Sequence, residues 1–161
     1  TDPISEFKCL PNIKVSQDKR NCLVIDAPLL DIKNLKTNDE VELYSENHFR
    51  LIGRVDNIIN SGGINLHPEQ IERKLSENLT FHFFIDSLED KLLGNKVVLV
   101  IKDDPKIKIV KLKEQIKKCS SLTSTEIPKA IIFFKKFFQT YSGKIKREET
   151  MAQEPHLILN L

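Results

Sequence analysis

The run Val97-Val98-Leu99-Val100-Ile101 constrains the fold more than any other stretch of the chain. All of its side chains are apolar and most are β-branched, a composition typical of a β-strand. A strand that has no polar face has to be buried on both faces. The run therefore predicts a central strand of a sheet that is covered on both sides.

Other short apolar runs predict further strands. Residues 41–44 and 49–52 alternate with period two around the polar turn 45–47, which predicts a hairpin. A second, smaller hairpin is predicted around the glycine-rich turn that follows Ile58 and Ile59. Strands are also predicted at 22–25, 81–85, 96–101 and 130–134.

Two segments have the pattern of amphipathic helices. Pro68 and Glu69 suit the first turn of a helix, and Ile71, Leu75 and Leu79 then recur at a spacing of four. A second apolar stripe consists of Ile109, Leu112, Ile116 and Cys119, with lysines on the opposite face. A short helix is expected from Arg147 onward.

This order of elements predicts an α+β fold with two parts. Residues 1–53 are interpreted as β strands from the end of a larger domain, 54–57 as a hinge, 58–150 as a small α+β lid domain, and 151–161 as a tail. The lid is expected to contain a β-hairpin and a sheet of about three strands with flanking helices.

Composition excludes several classes of function. The chain of 161 residues carries 25 basic and 23 acidic side chains, a balance that does not favour a nucleic-acid or membrane surface. Its three scattered cysteines indicate reduced thiols and a cytoplasmic location rather than a disulfide framework or a zinc site. No apolar stretch approaches the length of a membrane span. The chain begins without methionine, so we expect a fragment of a longer protein.

Four motifs occur in a fixed order along the chain: Thr37-Asn38-Asp39, Gly53-Arg54-Val55-Asp56, residues 59–72 (INSGGINLHPEQIE), and Ser142-Gly143-Lys144-Ile145-Lys146-Arg147. Together they resemble the C-terminal part of the adenylate-forming superfamily, which includes AMP-forming acyl-CoA synthetases. The resemblance extends from about residue 20 to about residue 150, and within the superfamily it is greatest to o-succinylbenzoate–CoA ligases of menaquinone biosynthesis.

The resemblance implies a ligase that works in two half-reactions. A carboxylate first attacks ATP to give an acyl-adenylate and pyrophosphate, and the thiol of coenzyme A then displaces AMP. In this scheme Lys144 is the adenylation lysine, because an ammonium group can stabilise the carboxylate and phosphate oxygens as a point charge. Gly143 is expected to shape the loop that presents it. On its own, Lys144 could equally be a solvated lysine of a basic segment.

The resemblance implies roles for three further side chains. Asp39 and Arg54 are expected to contact the nucleotide, with the aspartate accepting hydrogen bonds from the ribose hydroxyls. Glycine is the family's residue at the position of Asn38, so the turn before Asp39 departs from the pattern. Asp56 is placed at the hinge on which the lid pivots between the half-reactions. Asp39 could otherwise be a turn residue and Asp56 a surface aspartate.

The turn Ser61-Gly62-Gly63 is assigned to coenzyme A by resemblance alone. Glycine lets another chain approach the backbone closely, which would suit passage of the pantetheine arm. Taken as a bare pattern, the same residues are a hairpin turn.

Several expectations concern what the chain does not supply. The family's phosphate loop and acid pocket are not found here, so ATP, Mg²⁺ and coenzyme A are assigned to the full-length enzyme, and the isolated chain is expected to bind none of them and to be inactive. The expected partners are the N-terminal adenylation domain of the same protein and a small carboxylic acid. No metal site is proposed, because the four histidines lack ligand spacing. Two alternatives stay open: a free-standing interaction module, and an enzyme that loads a carrier-protein thiol.

Overall fold

The computed structural model describes residues 6–161 and shows a mixed α+β protein, the class that the sequence predicted. The described chain divides into two compact units, the first ending at Ile58 and the second running from Ile59 to Leu161.

The first unit is a five-stranded antiparallel sheet. Its strands, in chain order, are β1 (Glu6–Lys8), β2 (Lys14–Gln17), β3 (Cys22–Ala27), β4 (Ile32–Ser45) and β5 (His48–Arg54). They are arranged in the sheet as β1-β5-β4-β3-β2. Its core is small and centres on Val15, Leu23 and Val41. The predicted hairpin is present as β4 and β5, but β4 begins at Ile32, well before the predicted strand.

The second unit is built on a six-stranded sheet. Strand β9 (Gly94–Lys102) pairs antiparallel with β8 (Phe83–Asp90) and parallel with β10 (Ala130–Phe134). The hairpin of β6 (Ile59–Ser61) and β7 (Ile64–Leu66) joins the same sheet, because Ser61 pairs with Gly94. The sequence predicted a hairpin and a separate sheet of about three strands, whereas the structure combines them.

The central strand is buried as predicted. Val97, Leu99 and Ile101 point into one core cluster, and Val98 and Val100 point into a second cluster on the opposite face. All five are at most 1% exposed. The absence of a polar face in the sequence is thus explained by two cores on either side of one strand.

The predicted helices cover the first of these cores. Helix α1 (Pro68–Ser76) has proline in its first turn and buries Ile71 and Leu75, while Leu79 is buried just beyond its end. Helix α2 (Ile109–Lys118) buries Leu112 and Ile116.

One detail of the helix predictions was wrong. Ile109, assigned to the buried stripe, lies in the first turn of α2 and is 38% exposed. The short helix expected from Arg147 onward is confirmed as α3 (Arg147–Met151), which is five residues long.

Strands β8 and β11 differ from the prediction. The strand predicted at 81–85 begins at Phe83 and continues to Asp90, since cross-strand pairing with β9 carries it through polar residues that sequence periodicity does not mark. Residues within the predicted tail form β11 (Leu157–Asn160), which pairs with β10.

The cysteines Cys9, Cys22 and Cys119 are free. Within residues 6–161, no helix is both long and apolar enough to cross a membrane.

Candidate functional site

Lys144 lies on an exposed turn between β10 and α3. The turn is closed by a bridge between Gln139 and Ile145 and by a hydrogen bond from the Thr140 N–H to the Lys144 carbonyl (2.8 Å). The Lys144 N–H in turn donates to the Thr140 hydroxyl (3.1 Å). The backbone of Lys144 is therefore bonded in both directions.

The side chain of Lys144 is not held in the same way. The residue is exposed, and its ammonium makes no hydrogen bond or ion pair with any residue from 6 to 161. The turn thus presents a positive charge to solvent from a fixed backbone. This arrangement suits a group that has to reach an anion outside its own unit.

Gly143 adopts a left-handed conformation, with φ of +84°. Its N–H donates to the Thr140 carbonyl (2.9 Å), and a Cβ built at this position would meet no atom within 4 Å. Glycine is favoured here by the backbone conformation and not by crowding.

Arg54 is bonded to two carboxylates at the end of the first unit. It lies opposite Asp39 in the β4–β5 ladder, and its Nη1 is 3.2 Å from the Asp39 Oδ1. Its Nε and Nη2 bind the two oxygens of Asp56 at 2.9 Å and 2.6 Å. The structure therefore brings together Asp39 and Arg54, which were assigned to the nucleotide, and Asp56, which was assigned to the hinge.

These contacts change the charge properties of the cluster. The Arg54 guanidinium lowers the pKa of the Asp56 carboxyl, mainly through its hydrogen bonds, and the two carboxylates raise the pKa of Arg54 itself. The side chains are between 34% and 45% exposed, so the cluster remains open to a ligand from solvent.

Asn38 also reaches this cluster, a contact that the sequence does not predict. Its Nδ2 lies 3.4 Å from the Asp56 Oδ2, while its Oδ1 accepts a hydrogen bond from Arg20 (3.1 Å). Arg20 is itself paired with Asp18. The signal was the departure of Asn38 from glycine, which was interpreted only as a change of turn.

The turn Ser61-Gly62-Gly63 joins β6 to β7. Gly62 and Gly63 both have positive φ, +60° and +81°, as a two-residue hairpin turn of this type requires. The Gly62 N–H donates to the Leu93 carbonyl (2.9 Å), and a Cβ on Gly62 would lie 3.3 Å from the Leu93 Cδ2. Ser61 is buried by its pairing with Gly94.

A second residue set that sequence reasoning missed joins α1, β8 and α3. The Glu72 Oε1 accepts a hydrogen bond from the Ile85 N–H (2.7 Å), and Arg147 binds the same carboxylate (2.9 Å). Arg147 Nη1 also donates to the Ile85 carbonyl (3.2 Å). Burial raises the pKa of Glu72 to about 7, although Arg147 and the Ile85 N–H oppose the rise. Both residues belong to the quoted motifs, but nothing in either motif alone shows that they meet.

The remaining candidates keep ordinary roles. Phe133 and Phe134 are core residues of β10, and Phe137 packs against Phe84. In the part of the chain that the structure describes, no group of three or more histidine, cysteine, aspartate or glutamate side chains could hold a metal ion.

The proteins similar to this chain were identified by sequence and by structure. No family model matches. The chain is 29% identical over 114 residues to the vibriobactin-specific 2,3-dihydroxybenzoate-AMP ligase of Vibrio cholerae, a match that covers 69% of this chain and 21% of that protein. It is 29% identical over 126 residues to the 2-succinylbenzoate–CoA ligase of Enterococcus faecalis, covering 77% of this chain and 25% of that protein.

Among solved structures, the o-succinylbenzoate CoA synthetase of Bacillus subtilis in complex with its acyl-adenylate intermediate superposes with a TM-score of 0.72. The sequence identity is 19%, and the match covers 92% of this chain and 36% of that one. At this identity the likeness establishes the fold.

The chain is similar in sequence to one part of each of these AMP-forming acid ligases. It spans about a fifth to a quarter of the length of the curated relatives it matches. The matches include ligases of aryl acids and of succinylbenzoate, so they share a reaction type rather than one acid.

Proposed function

We propose that this chain is the lid-bearing, C-terminal part of an ATP-dependent carboxylic acid–CoA ligase, and that Lys144 acts in the adenylation step. The observation that carries the proposal is the ammonium of Lys144, which is exposed on a turn whose backbone is fixed and has no partner among residues 6–161. The similarity to AMP-forming ligases supplies the reaction type.

The chemistry requires such a group. When a carboxylate attacks the α-phosphate of ATP, two anions meet and negative charge grows on the phosphoryl oxygens. A cation placed at those oxygens stabilises the transition state, and its effect is greatest where water is excluded. Because the turn holds the backbone of Lys144 but leaves its side chain unbonded, the side chain can extend to a substrate without first breaking an ion pair.

Asp39 and Arg54 are proposed to contact the nucleotide from the first unit. The Asp39 carboxylate would accept hydrogen bonds from the ribose hydroxyls, and Arg54 holds that carboxylate from the neighbouring strand. Asp56 is proposed as the hinge residue. Its bidentate contact with Arg54 attaches the hinge to the end of β5. Reorientation of the lid would therefore either break this contact or rotate the backbone at residues that follow Asp56 in the chain.

The Ser61-Gly62-Gly63 turn is proposed to lie beside the pantetheine arm of coenzyme A in the second half-reaction. Its two glycines have no side chain to block such an approach. ATP and Mg²⁺ are expected to bind chiefly to the remaining part of the enzyme, and the described residues offer no cluster of their own for the metal.

The acid is proposed to be o-succinylbenzoate, which would place the enzyme in menaquinone biosynthesis in the cytoplasm. One curated relative is named as a ligase of this acid, and a solved structure with the same fold carries its adenylate. The equally similar aryl-acid ligase makes other aromatic acids the comparison set.

The test uses the full-length enzyme that contains this chain, with a panel of aromatic and fatty acids that includes o-succinylbenzoate. We expect AMP release that depends on both the acid and coenzyme A, with o-succinylbenzoate giving the highest kcat/KM. A thioester formed only on a phosphopantetheinyl carrier protein would instead establish the carrier-loading alternative.

Lys144→Ala in the same enzyme tests the role of the lysine. Pyrophosphate release should fall by about two orders of magnitude or more, while thioester formation from preformed acyl-adenylate should change little. Lys135→Ala, at another exposed lysine of the unit, is the matched control and should leave both steps unchanged. Equal loss of both steps in Lys144→Ala would contradict the proposed role.

The isolated chain offers a separate test. Calorimetric titration should show weak or no ATP binding, because the proposed nucleotide contacts of this chain are only part of the site. Tight binding of ATP by the chain alone would show that it holds a complete nucleotide site and would overturn the proposal that it is a lid-bearing part.

A further inference from the structure

Glu72 and Arg147 together bind the outer edge of strand β8. Ile85 pairs with Leu99 of β9 on one side, while its N–H donates to Glu72 and its carbonyl accepts from Arg147 on the other. The Glu72–Arg147 contact closes the set into a ring. The two side chains thus form hydrogen bonds with the outward-facing N–H and carbonyl of Ile85, as a neighbouring strand would.

The ring is attached directly to the turn that carries Lys144. Arg147 follows Lys144 by three residues and is the first residue of α3. At the other end of the turn, the Phe138 N–H donates to the hydroxyl of the fully buried Thr150 (3.1 Å), and the Phe138 carbonyl accepts from the Lys146 N–H (2.9 Å). The base of the turn is therefore bonded to the body of the unit on both sides, with Arg147 as the link to the sheet.

We propose that Glu72 and Arg147 are positioning residues, which hold the base of the Lys144 turn against the edge of β8 so that the lysine is presented from a fixed place. The positioning itself follows from the contacts, whereas its effect on adenylation rests on the function proposed above.

The charges around the ring agree with this role. The Arg147 guanidinium also lies over the ring of Phe84, 5.7 Å from its centre. Burial raises the pKa of Asp86, and the charge of Arg147 opposes that rise. Glu69 on α1 raises the pKa of Glu72. The Arg147 side chain thus places a cation among these carboxylates and bonds α3 to Glu72 of α1 and to Ile85 of β8.

The ring also explains why two distant motifs belong together. Glu72 ends the motif at 59–72, and Arg147 ends the motif at 142–147, 75 residues later in the chain. The first motif supplies the carboxylate that accepts from the Ile85 N–H, and the second supplies the guanidinium that donates to the Ile85 carbonyl.

The first experiment measures amide hydrogen exchange by NMR in the 161-residue chain at pH 8, above the pKa of about 7 for Glu72. Glu72→Gln and Arg147→Met should each reduce the protection of the amides of Gly143 and Lys144 by about tenfold, the worth of a charged hydrogen bond. The double variant should lose little more than either single variant, because both remove the same contact.

Glu126→Gln is the matched control. Glu126 forms an ion pair with Lys74 of α1 at 2.7 Å that is also largely buried, and its carboxylate accepts a hydrogen bond from Thr123 and not from the Lys144 turn. This variant should leave the protection of the turn unchanged. If Glu72→Gln and Arg147→Met also leave it unchanged, or if all three variants reduce it equally, the positioning proposal is wrong.

Arg147→Lys guards against a variant that fails to fold. Lysine keeps the charge but lacks the planar fork whose two nitrogens bind Glu72 and the Ile85 carbonyl, so the turn should still lose protection while the core amides of β9 keep theirs. Full protection of the turn in Arg147→Lys would show that the forked contact is not needed and would contradict the proposal.

The same variant tests the catalytic consequence in the full-length enzyme. Arg147→Lys should lower kcat for pyrophosphate release by about tenfold with little change in the KM for ATP, and should spare thioester formation from preformed adenylate. The two proposals fail separately. Normal adenylation in Lys144→Ala would refute the proposed function, whereas unchanged exchange of the turn would refute the positioning role alone.

Discussion

At the scale of single residues, the contacts of Arg54 depend on the shape of its side chain. The guanidinium is a planar fork that can bind two oxygens of Asp56 in parallel while a third nitrogen reaches Asp39. Strand pairing places Arg54 opposite Asp39, so the three residues meet without any special loop. Each contact is partly solvated and therefore contributes little to stability, about 1 kcal/mol or less.

We expect Arg54→Lys to raise the pKa of Asp56 toward its ordinary value, because the hydrogen bonds of Arg54 are the largest cause of its depression. The Asp56 carboxyl can be followed by NMR titration. Asp90 is the control, since its pKa is lowered by the backbone N–H groups of Leu92 and Leu93 and should not move. A pKa of Asp56 that stays depressed in the variant would assign the shift to Asn38 instead.

Gly143 and Gly62 make a matched pair for backbone strain. Gly143→Ala should lower the free energy of unfolding by about 1 kcal/mol, because alanine is strained at positive φ even where its Cβ meets no other atom. Gly62→Ala should lower the free energy of unfolding by more, since its Cβ would also lie 3.3 Å from the Leu93 Cδ2. Urea unfolding followed by helical circular dichroism measures both, and an equal cost would show that the contact with Leu93 relaxes freely.

At the scale of secondary-structure elements, helix α1 is bonded to its surroundings through two carboxylates. Glu72 of the helix binds β8 and α3, and Lys74 binds Glu126 in the segment before β10. The Glu126 carboxylate also accepts hydrogen bonds from Thr123, so the charge is satisfied although it is nearly buried. The apolar face of α1 supplies most of the burial, and these polar contacts fix which elements it lies against.

The pH dependence of the second unit should reflect Glu72. Its pKa rises from 4.5 to about 7 on folding, so the native state holds a proton that the unfolded state releases. The stabilising contribution of Glu72 should therefore be fully present below pH 4.5 and be lost as the pH rises to about 7. Glu72→Gln should remove this pH-dependent contribution, roughly 3 kcal/mol.

The measurement is urea unfolding at a series of pH values, followed by helical circular dichroism, which reports this unit because α1, α2 and α3 all lie within it. The difference between wild type and Glu72→Gln isolates Glu72 from Asp86, whose pKa is also raised. If the free energy of unfolding changed with pH in the same way in both proteins, the carboxyl of Glu72 would be solvated and the prediction would be wrong.

At the scale of the whole molecule, the two units differ in how much core they bury. The second unit has two clusters of buried residues on either side of β9, whereas the first has a small cluster around Val15, Leu23 and Val41. Hydrophobic burial is the main favourable contribution to folding, so the second unit carries more of its own stability.

Residues 59–161 alone should therefore fold and unfold cooperatively. Their backbone NMR spectrum should match that of the same residues in the whole chain, apart from the few nearest the cut. The complementary piece, residues 1–58, serves as the comparison and should be less stable toward urea. A collapsed or unfolded spectrum of residues 59–161 would show that this unit depends on the first.

Much of the fold was determined by local sequence patterns. The apolar run at 97–101 and the stripe of Ile71, Leu75 and Leu79 each reflect a period of side-chain burial, and the structure confirms the strand and the helix that they predict. A hairpin turn at Gly62-Gly63 and a loop shaped by Gly143 were likewise expected from turn chemistry, and all three glycines have positive φ. These features depend on neighbours in the chain, so the sequence by itself specifies them.

What only the tertiary structure decided are the contacts between residues far apart in sequence. The extension of β8 to Asp90 follows from pairing with β9, and β11 forms because β10 offers it an edge. The Glu72–Arg147 ring and the link from Asn38 to Asp56 join residues of separate motifs. No periodicity marks such contacts, because each half is an ordinary polar side chain until folding desolvates it and brings its partner into hydrogen-bonding distance.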